Sequence, residues 1–137
     1  MKPKASSQGK GIFITDDISE VLRGRSEGEK HYVVSEYIIN PYLINGYKFD
    51  LRIYVLITGL NPLKIYLYQD GLARFCAEKY TIDDLRNRFA HLTNYSINKF
   101  SKRFKVHDDD LDPNELGSKC LISNLKVKQW HHIEIYR

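Results

Sequence analysis

Gly46-Tyr47-Lys48-Phe49-Asp50-Leu51-Arg52-Ile53-Tyr54-Val55-Leu56-Ile57-Thr58 decides how the rest of this chain is read. From Phe49 to Thr58 the apolar residues run almost unbroken, which predicts a strand covered on both faces. Alternate residues of a strand share a face, so Lys48, Asp50 and Arg52 should point the same way. Three charges beside an apolar strand are costly unless they are paired or meet a charged ligand. Two readings follow. The row is a salt-bridge ladder at a sheet edge, or it is a polar site. In the second reading Asp50 accepts ribose hydroxyls while Lys48 and Arg52 face phosphate or a carboxylate.

Turn signals frame this stretch. Asn45-Gly46 precedes it and Asn61-Pro62 follows it. Lys64 to Gln69 reads as a second strand, Asp70-Gly71 as a hairpin turn and Leu72 to Ala77 as the return. Three consecutive antiparallel strands are therefore expected from Leu51 to Ala77. Upstream, Ile12-Phe13-Ile14 reads as a short strand, Ile18 to Leu22 as a short helix capped by Asp16-Asp17, and Gly24 to Lys30 as an exposed turn. His31 to Ile39 is rich in β-branched and aromatic residues and predicts a strand ended by Asn40-Pro41. Downstream, Thr81 and Asp84 have capping-box spacing and predict a short helix. Phe89 to Phe100 shows no clean period, Asp108-Asp109-Asp110 reads as a solvated loop, and Leu116 to Lys128 has a helical pattern weakened by Gly117.

Composition sets the bounds. A chain of 137 residues with 42% hydrophobic and 28% charged residues is about one globular domain. Its longest apolar run, Ile53 to Ile57, falls far short of the roughly 20 residues that span a bilayer, so no membrane partner is expected. No apolar signal segment follows the charged N-terminus. Two cysteines, Cys76 and Cys120, have no metal-ligand spacing and predict neither a disulfide framework nor an oxidising compartment. The net charge of +4 is unevenly spread. Arg86 to Lys105 holds six basic residues and no acid, whereas Asp108 to Glu115 holds five acids and no base. The basic stretch suggests an anionic partner. A nucleic-acid partner rests only on pI ≈ 9.0 and the mixture of basic and Tyr residues. No recognised nucleic-acid motif appears, so none is expected.

Three further segments could carry chemistry. Lys2, Lys4 and Lys10 surround Ser6, Ser7, Gly9 and Gly11. Backbone N–H groups of such a loop can cradle phosphate, although a polar, frayed terminus explains the composition as well. Arg74 interrupts its strand and suits bidentate contact with phosphate or carboxylate, or simply faces solvent. His91-Leu92-Thr93-Asn94-Tyr95-Ser96 packs five polar-capable side chains into six positions, or is a loop bonding its own backbone. His91 taken alone reads as structural, and the adjacent His131-His132 pair is poorly spaced for a metal.

These segments resemble, in order, the successive blocks of the tubulin–tyrosine ligase-like family. The blocks are Lys2 to Ile12, Tyr37 to Pro41, Gly46 to Val55, Gly71 to Phe75 and His91 to Lys99. The Ala5-Ser6-Ser7 loop and Ser96-Ile97-Asn98-Lys99 look most like the polyglutamylase branch. The resemblance implies an α+β chain, part of an ATP-grasp fold, mainly antiparallel sheet with short helices. It implies ATP and Mg²⁺ as cofactors, free glutamate as substrate, and tubulin C-terminal tails or microtubules as partners. The implied reaction phosphorylates an acceptor carboxylate and then forms an amide. Implied locations are the cytoplasm and cytoskeleton, including cilium or basal body.

By position, Lys2 matches the phosphate-contacting lysine, and Ser7, Gln8, Gly9, Lys10 and Gly11 match the loop over the phosphates. Ser35, Glu36, Tyr37 and Ile38 match the hinge that meets adenine, with Ser35 standing where the family often has Gln. Lys48 and Asp50 match nucleoside contacts, and Thr93 and Asn94 match residues near the nucleotide. Arg52 matches a γ-phosphate contact and Arg74 a second arginine at the reaction centre, the two catalytic candidates. No block matches the family's Mg²⁺ carboxylates or its upstream lobe, so no metal ligand is assigned. Similarity is expected over residues 1–126, with Gly117-Ser118-Lys119-Cys120 still family-like, and 127–137 as a divergent tail. An internal piece of a larger enzyme, incomplete for catalysis, is the resulting expectation.

Overall fold

The computed structural model describes residues 1–26, 31–105 and 118–125. Two strands dominate it, β4 (Tyr47–Leu60) and β5 (Leu63–Phe75). They pair antiparallel, from Phe49 with Phe75 to Leu60 with Leu63, around a turn at Asn61-Pro62. The short strands β3 (Leu43–Ile44) and β6 (Lys119–Leu121) flank this hairpin at its base, giving the order β3-β4-β5-β6. The first strand, β1 (Lys2–Pro3), pairs separately with β2 (Tyr32–Val33). Helices are few and short: α1 (Ile18–Ser26), then the single turns α2 (Arg88–His91) and α3 (Tyr95–Asn98). This is the mainly antiparallel α+β architecture expected from the sequence.

Local chemistry explains much of it. Asn45 and Gly46 both take positive φ, 52° and 82°, and join β3 to β4 through a two-residue turn whose twist suits a hairpin. Asp17 caps α1, accepting from the Ser19 N–H at 2.7 Å and the Ser19 hydroxyl at 2.7 Å. From Gly71 to Phe75 burial alternates with period two, placing Gly71, Ala73 and Phe75 inward. Ala73, Phe75, Cys120 and Leu125 form the core, with Ile44, Tyr47, Phe49 and Leu51 packed against it.

Several sequence expectations change. Asp70-Gly71 is not a hairpin turn, because β5 runs straight through it. Gly71 lacks the positive φ a tight hairpin turn would need. It is small because a Cβ there would lie 2.3 Å from the Arg52 carbonyl oxygen on β4. Two long strands thus replace the three expected. Of His31 to Ile39, only Tyr32 and Val33 join a sheet, since β1 offers only two residues to pair with.

Ile12-Phe13-Ile14 is not a strand, although Phe13 exchanges backbone bonds with Met1. Thr81 to Asp84 forms no helix. Thr81 Oγ1 accepts from the Asp83 N–H and Asp84 Oδ1 from the Arg86 N–H, local bonds that compete with helix formation. Helix α1 extends beyond Leu22 to Ser26, so the turn predicted from Gly24 begins inside it; 27–30 lie outside the described residues. The helix predicted over Leu116 to Lys128 is replaced, over 118–125, by β6 and a 3₁₀ turn (Ile122–Asn124), its remainder lying outside the described residues. Asp108 to Asp110 and His131-His132 also lie outside them.

The distal hairpin is bare. Ile53, Tyr54, Val55, Leu56 and Ile57 are all exposed, as are Ile65, Tyr66, Leu67 and Tyr68 opposite them. The two-sided cover that the apolar run predicts is therefore absent among the described residues, because β3 and β6 reach only the base.

Candidate functional site

The charged row of β4 exists, and its three members have different partners. Asp50 faces Arg74 directly across β4 and β5. Arg74 Nε donates to Asp50 Oδ1 at 2.7 Å and its Nη2 to Oδ2, a bidentate pair that raises the guanidinium pKa further. Arg52 Nε lies 3.8 Å from the same carboxylate, with about half of its side chain open to solvent. Of the ladder expected among Lys48, Asp50 and Arg52, only the Asp50–Arg52 contact forms, and the carboxylate's closer partner is Arg74 on β5. Arg52 keeps donors available at its open end.

Lys48 turns instead toward two aromatic rings. Its Nζ donates to the Tyr37 hydroxyl oxygen at 3.0 Å and to the His91 carbonyl oxygen at 2.9 Å. It also sits 4.6 Å from the Tyr37 ring centroid, in cation–π range. Burial lowers the pKa of Lys48, raises that of Tyr37 and pushes the neighbouring Cys76 thiol up to about 12. Cys76 is therefore inert as a nucleophile at neutral pH.

The glycine loop is built by the polar segment from Asn87 to Asn98. Gln8, Gly9 and Gly11 take positive φ, 58°, 74° and 70°. Gly9 is buried, and a Cβ on it would meet Ile97 Cδ1 at 2.6 Å and Asn94 at 3.1 Å. Arg88 Nη2 donates to the Gly9 carbonyl at 3.0 Å, and the Ser96 hydroxyl to the Gln8 carbonyl at 2.6 Å. Asn98, fully buried, donates to the Leu92 and Asn94 carbonyls and accepts from the Ala77 N–H, fixing the segment to the end of β5. One short stretch thus anchors the loop at Gly9 and the strand row at Lys48.

Other predicted site residues lie around this frame. Lys2 is exposed on β1, opposite Val33. Ser7, Lys10 and Gly11 are exposed on the loop. Ser35, Glu36 and Ile38 are exposed on an extended segment, from which only Tyr37 turns inward. Thr93 lines a small cleft with Arg74. A groove of about 680 Å³ is lined by Gln8, Lys10 and Gly11 of the loop and by Arg86, Arg88 and Lys99. Phe89, Ile97 and Phe100 make most of its lining apolar, and Lys10, Arg86, Arg88 and Lys99 supply positive charge that suits an anionic group. Among the described residues no three His, Cys, Asp or Glu side chains come together as a metal site. No described helix is long and apolar enough to cross a membrane.

Sequence reasoning undervalued three residues. Arg88 and Asn98 hold the loop and its supporting segment, and His91, read alone as structural, joins the Lys48 network. The signals for them were the density of polar residues between Asn87 and Asn98 and, for Arg88, its place in the basic stretch from Arg86 to Lys105.

The sequence model of the tubulin-tyrosine ligase family matches residues 1–135. A probable beta-tubulin polyglutamylase of Tetrahymena thermophila is 47% identical over 97% of this chain and 11% of its own length. The tubulin polyglutamylase ttll6 of Danio rerio is 40% identical over 91% of this chain and 15% of its own. The tubulin polyglutamylase TTLL5 of Homo sapiens is 43% identical over 90% of this chain and 9% of its own. The chain therefore spans about a tenth to a seventh of the length of these relatives.

Proposed function

Because this chain belongs to the tubulin-tyrosine ligase family, we propose that it carries the nucleotide-binding part of an ATP-dependent ligase that adds glutamate to tubulin tails. One observation carries the reading. The segment from Asn87 to Asn98 holds both a glycine loop, closed to any Cβ at Gly9, and Lys48, the first member of the charged row of β4. A loop shaped this way beside Lys10, Arg86, Arg88 and Lys99 fits a triphosphate. Lys2, Ser7, Gln8, Gly9, Lys10 and Gly11 would hold the phosphates. Ser35 to Ile38 would meet the base, Lys48 and Asp50 the nucleoside, and Thr93 and Asn94 would stand near the nucleotide.

Bound ATP would supply the phosphoryl group that activates an acceptor carboxylate as an acyl-phosphate. Arg52, with donors available, would then face the charge that develops on the phosphoryl oxygens. Arg74 would orient the row through Asp50. The basic stretch around the groove would attract the acidic tubulin tail, an effect that salt weakens. Mg²⁺ finds no cluster of ligands among the described residues, and no step is assigned to it. Cytoskeletal and ciliary locations belong to this same reading.

A second reading, a nucleotide- or microtubule-binding fragment without ligase activity, is favoured for the isolated chain by the bare faces of the β4–β5 hairpin. The two are separated by incubating the chain, and a longer family protein containing it, with ATP, Mg²⁺, labelled glutamate and tubulin. Glutamyl mass additions on tubulin from the longer protein alone support both the ligase reading and incompleteness of the chain. Additions by neither protein would overturn the ligase reading.

A further inference from the structure

Lys48, Tyr37 and His91 form a directed hydrogen-bond chain that ends on backbone. His91 is 1% exposed, and both ring nitrogens are engaged. Nε2 lies 2.9 Å from the Asp84 carbonyl oxygen. A carbonyl can only accept, so Nε2 carries the ring proton. Nδ1 lies 2.9 Å from the Tyr37 hydroxyl. In the neutral ring with its proton on Nε2, Nδ1 is left as an acceptor, so the Tyr37 hydroxyl donates to it while accepting from the Lys48 ammonium, which can only donate. Every donor and acceptor then has a consistent direction: Lys48 to Tyr37 to His91 to the Asp84 carbonyl. Lys48 donates a second time, to the His91 backbone carbonyl at 2.9 Å, and so closes the loop. Edge-on contacts from Tyr37 and Tyr80, with ring centroids at 5.7 Å and 5.3 Å, fix the imidazole plane.

We infer that His91 is a positioning residue for Lys48: acting through the Tyr37 hydroxyl, it fixes the lysine ammonium for a nucleotide. The inference rests on the proposed reading of Lys48 as a nucleotide contact, and it adds a residue that sequence pattern alone marks only as structural. The underlying logic is preorganisation. Lysine has a flexible four-carbon stem, and its charge serves a ligand best when other bonds have already settled its position. Two bonds do so here: the one to the Tyr37 hydroxyl depends on the His91 ring that holds that hydroxyl, and the one to the His91 carbonyl is a backbone bond that a side-chain substitution leaves in place.

The test measures Mg-ATP affinity by calorimetry for the full chain, with circular dichroism recorded on every variant. Lys48→Met, Tyr37→Phe and His91→Leu should each weaken binding, on the order of tenfold for the last two. His91→Asn, whose amide oxygen can accept near the Nδ1 position, should recover most of the loss. ¹⁵N NMR of the imidazole in the nucleotide-free chain should show the proton on Nε2. That readout stands even if His91→Leu fails to fold. Lys48→Met with unchanged affinity would overturn the nucleotide reading of Lys48 and the inference with it. Weakened Lys48→Met beside unchanged Tyr37→Phe and His91→Leu would overturn the inference alone. So would a ring proton on Nδ1.

Discussion

Asp50 and Arg74 occupy facing positions on β4 and β5 and are joined by a bidentate ion pair, the Arg74 side chain keeping only 18% of its surface exposed. A carboxylate so occupied has fewer lone pairs for a ligand, yet it sets where Arg52, 3.8 Å away, can rest. Removing it should therefore act twice. Asp50→Ala is expected to cost about 1–3 kcal/mol of stability by leaving Arg74 without its partner. It should also weaken ATP binding. Denaturant unfolding and calorimetry read the two effects separately, and unchanged ATP affinity would remove Asp50 from the site.

Arg52 carries a different expectation. Its side chain is half open and only loosely paired, so truncation should leave the fold intact. In a longer family enzyme containing this segment, Arg52→Ala should reduce turnover about 10²–10³-fold while the melting temperature stays near that of the parent. Near-normal turnover would contradict a role at the transferred phosphoryl group.

Gly9 tests the loop. Its φ of 74° and the 2.6 Å approach of Ile97 leave an alanine both strained and crowded. Gly9→Ala should destabilise the chain by about 1–3 kcal/mol and weaken ATP binding together. Unchanged stability in chemical unfolding would mean that the loop is not held in this conformation.

Asp70 gives a pH prediction. The Ser123 hydroxyl, then the Gly71 and Ser123 N–H groups, donate to its carboxylate and lower its pKa. A carboxyl with a depressed folded pKa contributes stability above its unfolded pKa of about 3.9 and loses it as pH falls through the folded value. Thermal unfolding between about pH 5 and about pH 3 should therefore be steeper for the natural chain than for Asp70→Asn. Equal slopes would show that Asp70 does not tie the Ile122–Asn124 turn to β5.

Local chemistry made some of this legible in sequence. The Asn45-Gly46 turn needs positive φ, the Asp17 cap needs a short acceptor, and the alternation of Lys48, Asp50 and Arg52 follows from the strand period alone. What was illegible depends on partners far along the chain. Gly71 looked like a turn glycine, and its actual reason is the Arg52 carbonyl on the neighbouring strand. Arg88 looked like one more basic residue, and its partner is the Gly9 carbonyl. Thr81 and Asp84 had capping spacing, but local side-chain bonds took the backbone groups a helix would have used. His31 to Ile39 had strand composition and almost nothing to pair with. Composition reports propensity, whereas pairing and close approach are properties of the assembled fold.

If the glycine loop and the Lys48–Asp50–Arg52 row form a nucleotide site, the chain should take up ATP on its own. Calorimetric titration of Mg-ATP into the purified 137-residue chain, with circular dichroism confirming that it is folded, tests it most directly. Saturable binding is expected, and both Lys48→Met and Gly9→Ala should weaken it. A folded chain that gives no heat of binding at millimolar ATP would contradict that reading of the site.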